Sequence, residues 1–191
     1  MSVMANLLRR TALTLVAGAA LALPMAASAS LTDGLSVRAG FFHPTSSGTN
    51  SLTDFAAWGG GVEYKIGGIP SVFNGAHWST SVSADFHYSE RGGAGNGRVM
   101  RYIPVMINQV FNFEEQNGHV PYAGFSIGAA TFGVNGAGAV RQPTVTRIAG
   151  GLIAGLNITK NFYLEGRYEW VDKSGANYDM QGFRGYVGYR F

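Results

Sequence analysis

The chain has 191 residues, with 14 Lys and Arg against 11 Asp and Glu, 28 glycines and no cysteine. The lack of cysteine excludes disulfides, thiolate metal sites and the lipid-bearing cysteine of an exported lipoprotein. The net charge of +3 comes without a basic cluster, so we expect no nucleic-acid partner.

Residues 1–29 have the pattern of a cleaved secretory signal peptide. Arg9 and Arg10 precede an uncharged apolar stretch at 11–23, and the small residues at 27–29 suit a cleavage site. A transmembrane helix is the alternative, but it needs roughly 20 apolar residues, and a proline interrupts this run. Removing the segment leaves 12 basic side chains against 11 acidic ones. We therefore predict export through the periplasm.

The remaining domain, residues 30–191, shows the two-residue alternation of β-strands. The clearest segment is 77–88, in which apolar residues from Trp78 to Tyr88 alternate with wholly polar ones. Ten residues of tilted strand separate these two aromatic rings, which is roughly 25 Å along a membrane normal. That distance matches the apolar band of an outer-membrane barrel, with one aromatic residue at each interface.

The same alternation predicts eight strands. They lie at about 35–42, 54–66, 77–88, 99–113, 122–132, 144–158, 162–170 and 180–191. A spanning strand with its connection takes about 20 residues, so the domain has room for eight. We predict an all-β fold, a single closed antiparallel up-and-down transmembrane β-barrel of about eight strands.

An N-terminus on the periplasmic side would make alternate connections long and external. The predicted external connections are 43–53, 89–98, 133–143 and 172–179, and the predicted internal ones are 67–76, 114–118 and 159–161. The connection at 67–76 is as long as the external ones, which this rule does not explain. Pro104 lies within a strand and predicts a β-bulge nearby, because a closed barrel has no edge that tolerates a missing N–H.

Residues 31–191 resemble the small outer-membrane barrels of the OmpA-like and OmpX-like type. The matching segments are 101–105, 121–128, 164–168 and 185–191. The resemblance implies a location in the outer membrane, with membrane lipid as a partner.

The resemblance extends to the C-terminal assembly signal of that family. The signal has a terminal aromatic residue, a hydrophobic residue two positions earlier and usually a glycine five positions earlier. Phe191 and Tyr189 fit this pattern, whereas Tyr186 stands where the glycine is expected. The resemblance implies that the barrel assembly machinery binds the strand that ends in Phe191.

The predicted interior contains eight charged side chains. They are Glu63, Lys65, Asp85, Glu165, Arg167, Glu169, Arg184 and Arg190. An eight-stranded barrel has room for side chains and little else, so we expect these charges to neutralise one another. The alternative is a narrow ion-conducting pore.

His87, Ser89 and Glu90 resemble the His-x-Ser element of outer-membrane lipid A deacylases. In such an enzyme the imidazole would take the serine proton and a carboxylate would orient it. The element lies late in that family but in the third strand here, and alternation points His87 and Ser89 into the barrel, away from lipid. We therefore predict a protein without enzymatic activity and keep the deacylase as an alternative.

Two other patterns are rejected as sites. His77 and His87 stand roughly 33 Å apart along an extended strand, so they cannot share a metal ion with Asp85. The glycine-rich run at 92–97 lacks the helix and the Lys-Ser/Thr of a phosphate-binding loop. We accordingly predict no catalytic, cofactor-binding or metal-binding residues.

The strands would then anchor the protein in the outer membrane, and the external connections would bind an unknown extracellular partner. A soluble ligand-binding barrel is a further alternative, and the burial of one strand distinguishes it. In a soluble barrel Trp78, Val82 and Phe86 would point inward, whereas Ser81 and Asp85 would face solvent.

Overall fold

The computed structural model describes residues 34–53, 56–66, 77–92, 97–136, 141–174 and 176–191. The predicted signal peptide and the connection at 67–76 lie outside these residues.

Eight antiparallel strands form a closed barrel in which each strand pairs with its sequence neighbours and β8 pairs with β1. The strands are β1 (Leu35–Pro44), β2 (Ala57–Lys65), β3 (Trp78–Arg91), β4 (Arg98–Asn112), β5 (Val120–Asn135), β6 (Gln142–Asn157), β7 (Phe162–Val171) and β8 (Gly182–Arg190). One short helix, α1 (Ser47–Asn50), lies between β1 and β2. Within the described residues, no helix has the length and apolar character needed to cross a membrane. The predicted all-β barrel is confirmed.

The barrel has a polar and aromatic interior and an apolar outer wall. On β3, Ser81 is 6% exposed and Asp85 2% exposed, whereas Phe86 is 43% exposed. Large apolar side chains face outward on the other strands too, and Ile148 reaches 71% exposure. The alternative of a soluble barrel is wrong, because it requires the opposite arrangement.

Aromatic side chains form a belt at each end of the outer wall. Toward the end opposite Phe191, which we call the mouth, the belt contains Phe41, Trp58, Tyr88, Trp170 and Phe183. Toward the Phe191 end it contains Tyr64, Trp78, Phe111, Phe162 and Tyr189. Trp78 and Tyr88 thus belong to opposite belts, as the sequence predicts. Such belts are typical of a barrel that spans a membrane.

The wall is higher on one side of the mouth. Strands β3, β4, β5 and β6 have 14, 15, 16 and 16 residues, whereas the other four have 9 or 10. Because a tilted spanning strand needs about 9–11 residues, β3–β6 form a raised wall at the mouth. The predicted connections at 89–98 and 133–143 are therefore too long. Strands β3 and β4 pair as far as Arg91 with Arg98, which shortens their connection to 92–97. The connection between β5 and β6 shortens to 136–141.

Pro104 interrupts the β3–β4 ladder without changing its register. Ala84 pairs with Val105 and His87 pairs with Tyr102, which is the same register on both sides of the interruption. The missing N–H of proline removes pairing locally, so the predicted bulge at Pro104 is wrong. The register shift lies elsewhere, between Phe132 and Val134 on β5.

Two connections fold over the mouth on the low side of the wall. The Thr45 amide donates to the Gln181 carbonyl at 3.1 Å, and the Thr49 hydroxyl donates to the Asp179 carbonyl at 2.6 Å. Leu52 then inserts into a mouth cluster of buried residues. The mouth cluster comprises Phe42, Leu52, Ala57, Met100, Tyr102, Met106, Ala130, Phe132, Val134, Ala149, Val171 and Met180. The chain itself thus fills the mouth of the barrel.

Candidate functional site

Arg38 is the centre of the ion pairs inside the barrel. Its Nε and Nη2 donate to the two carboxylate oxygens of Asp85 at 2.7 and 2.8 Å. Its Nη1 lies 2.7 Å from Glu63 Oε2 and 3.0 Å from Glu165 Oε1. The side chains of Arg38 and Asp85 are both 0% exposed. One guanidinium therefore neutralises carboxylates from three other strands.

Arg167 joins the same carboxylates from the opposite side. Its Nε donates to Glu165 Oε1 at 2.6 Å, and its Nη2 donates to Glu63 Oε2 at 3.0 Å. Its Nη1 donates to Asn108 Oδ1 at 2.7 Å. The Asn108 amide in turn donates to the hydroxyls of two serines on β3. Polar partners thus satisfy the guanidinium, whose side chain is 1% exposed.

Arg184 completes the network on the mouth side. Its Nη1 donates to Asp85 Oδ2 at 3.0 Å and to the Tyr186 hydroxyl at 3.2 Å. Its Nη2 forms an ion pair with Glu169, which also accepts a hydrogen bond from the Tyr102 hydroxyl. We call this network the charged layer. The charged layer comprises Arg38, Glu63, Asp85, Glu165, Arg167, Glu169 and Arg184.

The charged layer confirms most of the predicted interior network and corrects the rest. Lys65 is exposed at the Phe191 end of β2, so it is not part of the layer. Arg190 forms a separate contact, with Nη1 2.7 Å from Asn157 Oδ1 and its guanidinium 4.6 Å above the Tyr163 ring. Sequence reasoning missed Arg38, although alternation already placed it on the polar face of the first strand.

The His87, Ser89 and Glu90 element is not arranged as a catalytic triad. His87 is 0% exposed, and its Nε2 lies 3.0 Å from the Tyr186 hydroxyl. Ser89 is 8% exposed and also faces the interior. The carboxylate of Glu90 accepts a hydrogen bond from the outward Tyr88 hydroxyl at 3.2 Å, so it lies on the other face of β3. A carboxylate on that face cannot orient the imidazole.

No group of three His, Asp or Glu side chains within the described ranges is arranged to hold a metal ion. The carboxylates of the charged layer are instead bound by arginine, which leaves no ligand set for a cation there.

Comparison of the chain with models of known protein families identifies its family. The family model of the outer membrane protein beta-barrel domain matches residues 12–191. The chain belongs to this family. Its members are outer-membrane barrels, so the predicted resemblance and the outer-membrane location are confirmed, and the apolar wall is a transmembrane surface.

Solved structures of other proteins show the same fold. Neisserial surface protein A is 17% identical, with a TM-score of 0.50 over 82% of this chain and 96% of that one. The outer membrane enzyme PagL is 16% identical, with a TM-score of 0.52 over 82% of this chain and 98% of that one. At these identities the likeness shows the fold alone. Curated protein sequences give no match.

Proposed function

We propose that this outer-membrane barrel is not an enzyme, and that its wall anchors it in lipid while its mouth binds an external partner. The observation that carries the proposal is the paired interior. Arg38, Asp85 and Glu169 have fully buried side chains that bind one another or further side chains of the barrel. Groups held in this way stabilise the fold and are not available to a substrate.

The deacylase alternative has one observation in its favour, because His87 and Ser89 lie on the same face of β3. Three observations oppose it. Both side chains are buried in the interior, His87 is bound to the Tyr186 hydroxyl, and Glu90 lies on the outer face. A lipid ester in the membrane would have to pass through the wall to reach the serine.

Mass spectrometry of lipid A tests the proposal. Lipid A is compared between cells that express the protein, cells that express Ser89→Ala and cells that express neither. We expect three identical spectra, because Ser89 and His87 both face the interior, away from the lipid. Loss of an acyl chain with the parent protein but not with Ser89→Ala would establish the enzyme and refute the proposal.

We also propose that residues 1–29 are removed during export through the periplasm, and that the mature domain is 30–191. In this proposal the barrel assembly machinery binds the C-terminal strand that ends in Phe191. The Phe191 amide donates to the Leu35 carbonyl at 3.1 Å, beside the seam where β8 meets β1. The pairing of β8 with β1 joins the two ends of the sheet and closes the barrel, which supports this role.

A further inference from the structure

The seam between β8 and β1 joins the two ends of the sheet, so no connection of the chain sets its register. Alternation does not set it either, because a shift of two residues keeps every inward side chain inward. Glycine-rich strands specify their register weakly. The glycines of β8 are Gly182, Gly185 and Gly188. Side chains inside the barrel must therefore determine how β8 closes it.

The charges inside the barrel are not balanced without β8. Strands β1–β7 contribute two arginines and four carboxylates to the charged layer, namely Arg38, Arg167, Glu63, Asp85, Glu165 and Glu169. Strand β8 adds Arg184 to the layer and Arg190 below it, where Arg190 contacts Asn157 and the Tyr163 ring. With both arginines the positive and negative charges of this set are equal. The closing strand thus brings the cations that the other strands lack.

Arg184 determines whether two buried carboxylates are neutralised. It contacts Asp85 at 3.0 Å and forms an ion pair with Glu169, and all three side chains are 0% exposed. Among the described residues, Arg184 is the only cation that contacts Glu169. A buried carboxylate that loses its cation destabilises the fold strongly. The height of Arg184 in the interior therefore affects the stability of each possible register.

A shift of β8 by two residues toward the mouth places both arginines badly. It carries Arg184 roughly 7 Å, to the point where β8 now contacts the Phe42 ring of the mouth cluster. It also moves Arg190 to the position of Gly188, directly opposite Arg38 on β1. One cation would then lie in apolar packing and the other beside a like charge, and both arrangements are unfavourable.

A shift of two residues toward the Phe191 end is unfavourable as well. Arg184 would take the place of Tyr186, whose ring centre lies 4.5 Å from the Arg38 guanidinium. Tyr186 itself would leave Gly40, where a Cβ atom would lie only 2.7 Å from its ring, for the position opposite Arg38. That position has a large side chain where the native one has none. Neither shift keeps the carboxylates of the charged layer paired.

We propose that Arg184 and Arg190 fix the register in which β8 closes the barrel. Strands β1–β7 hold an excess of carboxylates, and β8 supplies the matching cations at two heights. Only the native register brings each cation to its partners. This inference goes beyond the proposed anchoring and mouth binding, because the effect lies within the chain and needs no partner.

Engineered cysteine pairs can measure the register, because the chain has no cysteine of its own. Ala39→Cys with Val187→Cys reports the native register, in which these residues pair. Ala39→Cys with Tyr189→Cys reports a shift toward the mouth, and Val37→Cys with Val187→Cys reports a shift toward Phe191. Paired Cα atoms lie about 5.5 Å apart, within reach of a disulfide, whereas residues two positions out of register lie about 9 Å apart.

The refolded barrel is separated from unfolded chains by its heat-induced shift in gel mobility, oxidised, and analysed on non-reducing gels. In the parent the native pair should crosslink at least about ten-fold more than either shifted pair. Arg184→Gln should raise the shifted fraction about five-fold, because the buried carboxylates no longer select the native register. Arg190→Gln should raise it about two-fold, since the partners Asn157 and Tyr163 are uncharged.

Two controls distinguish register from charge and from position. Arg141→Gln removes an exposed arginine at the mouth end and should leave the shifted fraction unchanged. Arg184→Lys keeps the cation and should restore the ratio of the parent. An equal rise in Arg141→Gln would contradict the inference, because it would attribute the effect to net charge.

The double variant Arg184→Gln with Glu169→Gln keeps the test decisive if Arg184→Gln alone does not fold. It leaves no carboxylate without a cation, because Asp85 still binds Arg38. It should fold and still show the raised shifted fraction. Exclusive crosslinking of the native pair would refute the inference and assign the register to the contacts of residues 176–181 at the mouth. A double variant that does not fold would also refute it, because Arg184 would then be needed for closure in any register.

Discussion

Arg38 binds three carboxylates, and its position explains why charged residues are tolerated inside this barrel. Removing a charge from water costs several kcal/mol, and good geometry with several partners is needed to offset that cost. Arg38 meets this need with a two-pronged contact to Asp85 and single contacts to Glu63 and Glu165. The stability of the charged layer therefore depends on all of its members together.

Replacing Arg38 by methionine should destabilise the barrel strongly. The change keeps most of the volume but leaves Asp85 and Glu165 buried with fewer cations, so the free energy of unfolding should fall by about 3–5 kcal/mol. Urea unfolding in detergent micelles, followed by gel mobility, measures the change. Arg141→Met is the control and should alter the free energy of unfolding by less than about 0.5 kcal/mol. An unchanged midpoint for Arg38→Met would contradict the central role of Arg38.

Two interior tyrosines show why glycine occurs so often on the inner face. The Tyr163 ring lies over Gly188, where a Cβ atom would approach its Cζ to 2.1 Å. The Tyr122 ring lies in the same way over Gly155, at 2.2 Å. Glycine on one strand makes room for a flat ring from the next, so large side chains fit in a narrow interior.

At the scale of elements, residues 45–53 of the connection between β1 and β2 are held by hydrogen bonds of their own and by contact with the barrel below them. Leu52 is 1% exposed within the mouth cluster. The amides of Leu52 and Thr53 donate to the carbonyls of Thr49 and Asn50 at 2.9 and 3.1 Å. Leu52 is the large apolar side chain through which this connection packs into the mouth cluster, so the stability of this cover should depend on it.

Shortening Leu52 to alanine should loosen the cover while the barrel stays closed. A buried Leu→Ala change costs about 2–5 kcal/mol, and here the loss falls on a local segment. Hydrogen exchange at the Leu52 and Thr53 amides should accelerate at least about ten-fold. Ile148→Ala, on the lipid-facing wall, should leave these two amides unchanged. Acceleration across all strands would show instead that the cover is part of the global fold.

At the scale of the whole molecule, two layers close the interior, the mouth cluster above and the charged layer below it. The mouth cluster contains Phe42, Met100 and Phe132, each at most 1% exposed. An ion would have to pass through apolar packing and then break ion pairs such as Arg38 with Asp85. Both steps are costly in a low-dielectric interior.

The refolded protein should therefore not conduct ions in a planar bilayer. We expect no discrete current steps at applied potentials at which a porin, added to the same bilayer as a positive control, conducts steadily. Discrete, ion-selective steps from this protein would support the narrow pore and contradict the closed interior.

The sequence predicted the wall well because each face of a strand meets a uniform environment. Alternation alone placed Asp85 inside and Phe86 outside on β3. The partners inside the barrel could not be predicted in this way. Arg38 and Glu165 are 127 positions apart, and alternation gives the face of a residue but not its height in the lumen.

Alternation also explains why the predicted connections at 89–98 and 133–143 are too long. Strands β3–β6 continue above the membrane, where the outer face no longer needs apolar residues, so the alternating pattern ends before the pairing does. Arg91 and Arg98 still pair in that region, although the outward residues Glu90 and Arg101 are charged and interrupt the apolar face. The predicted bulge at Pro104 is wrong for another reason. One missing N–H interrupts the hydrogen-bond ladder locally and leaves the register on both sides unchanged.

The uneven mouth makes this barrel a natural scaffold for displaying foreign peptides. At the mouth the raised wall ends at Arg91, Arg98, Asn135 and Gln142, the ends of β3–β6. A peptide grafted between the ends of β3 and β4, or of β5 and β6, extends a hairpin whose arms are already paired. A graft within 45–53 would pull Leu52 out of the mouth cluster, so the two sides of the mouth differ in the insertions that they tolerate.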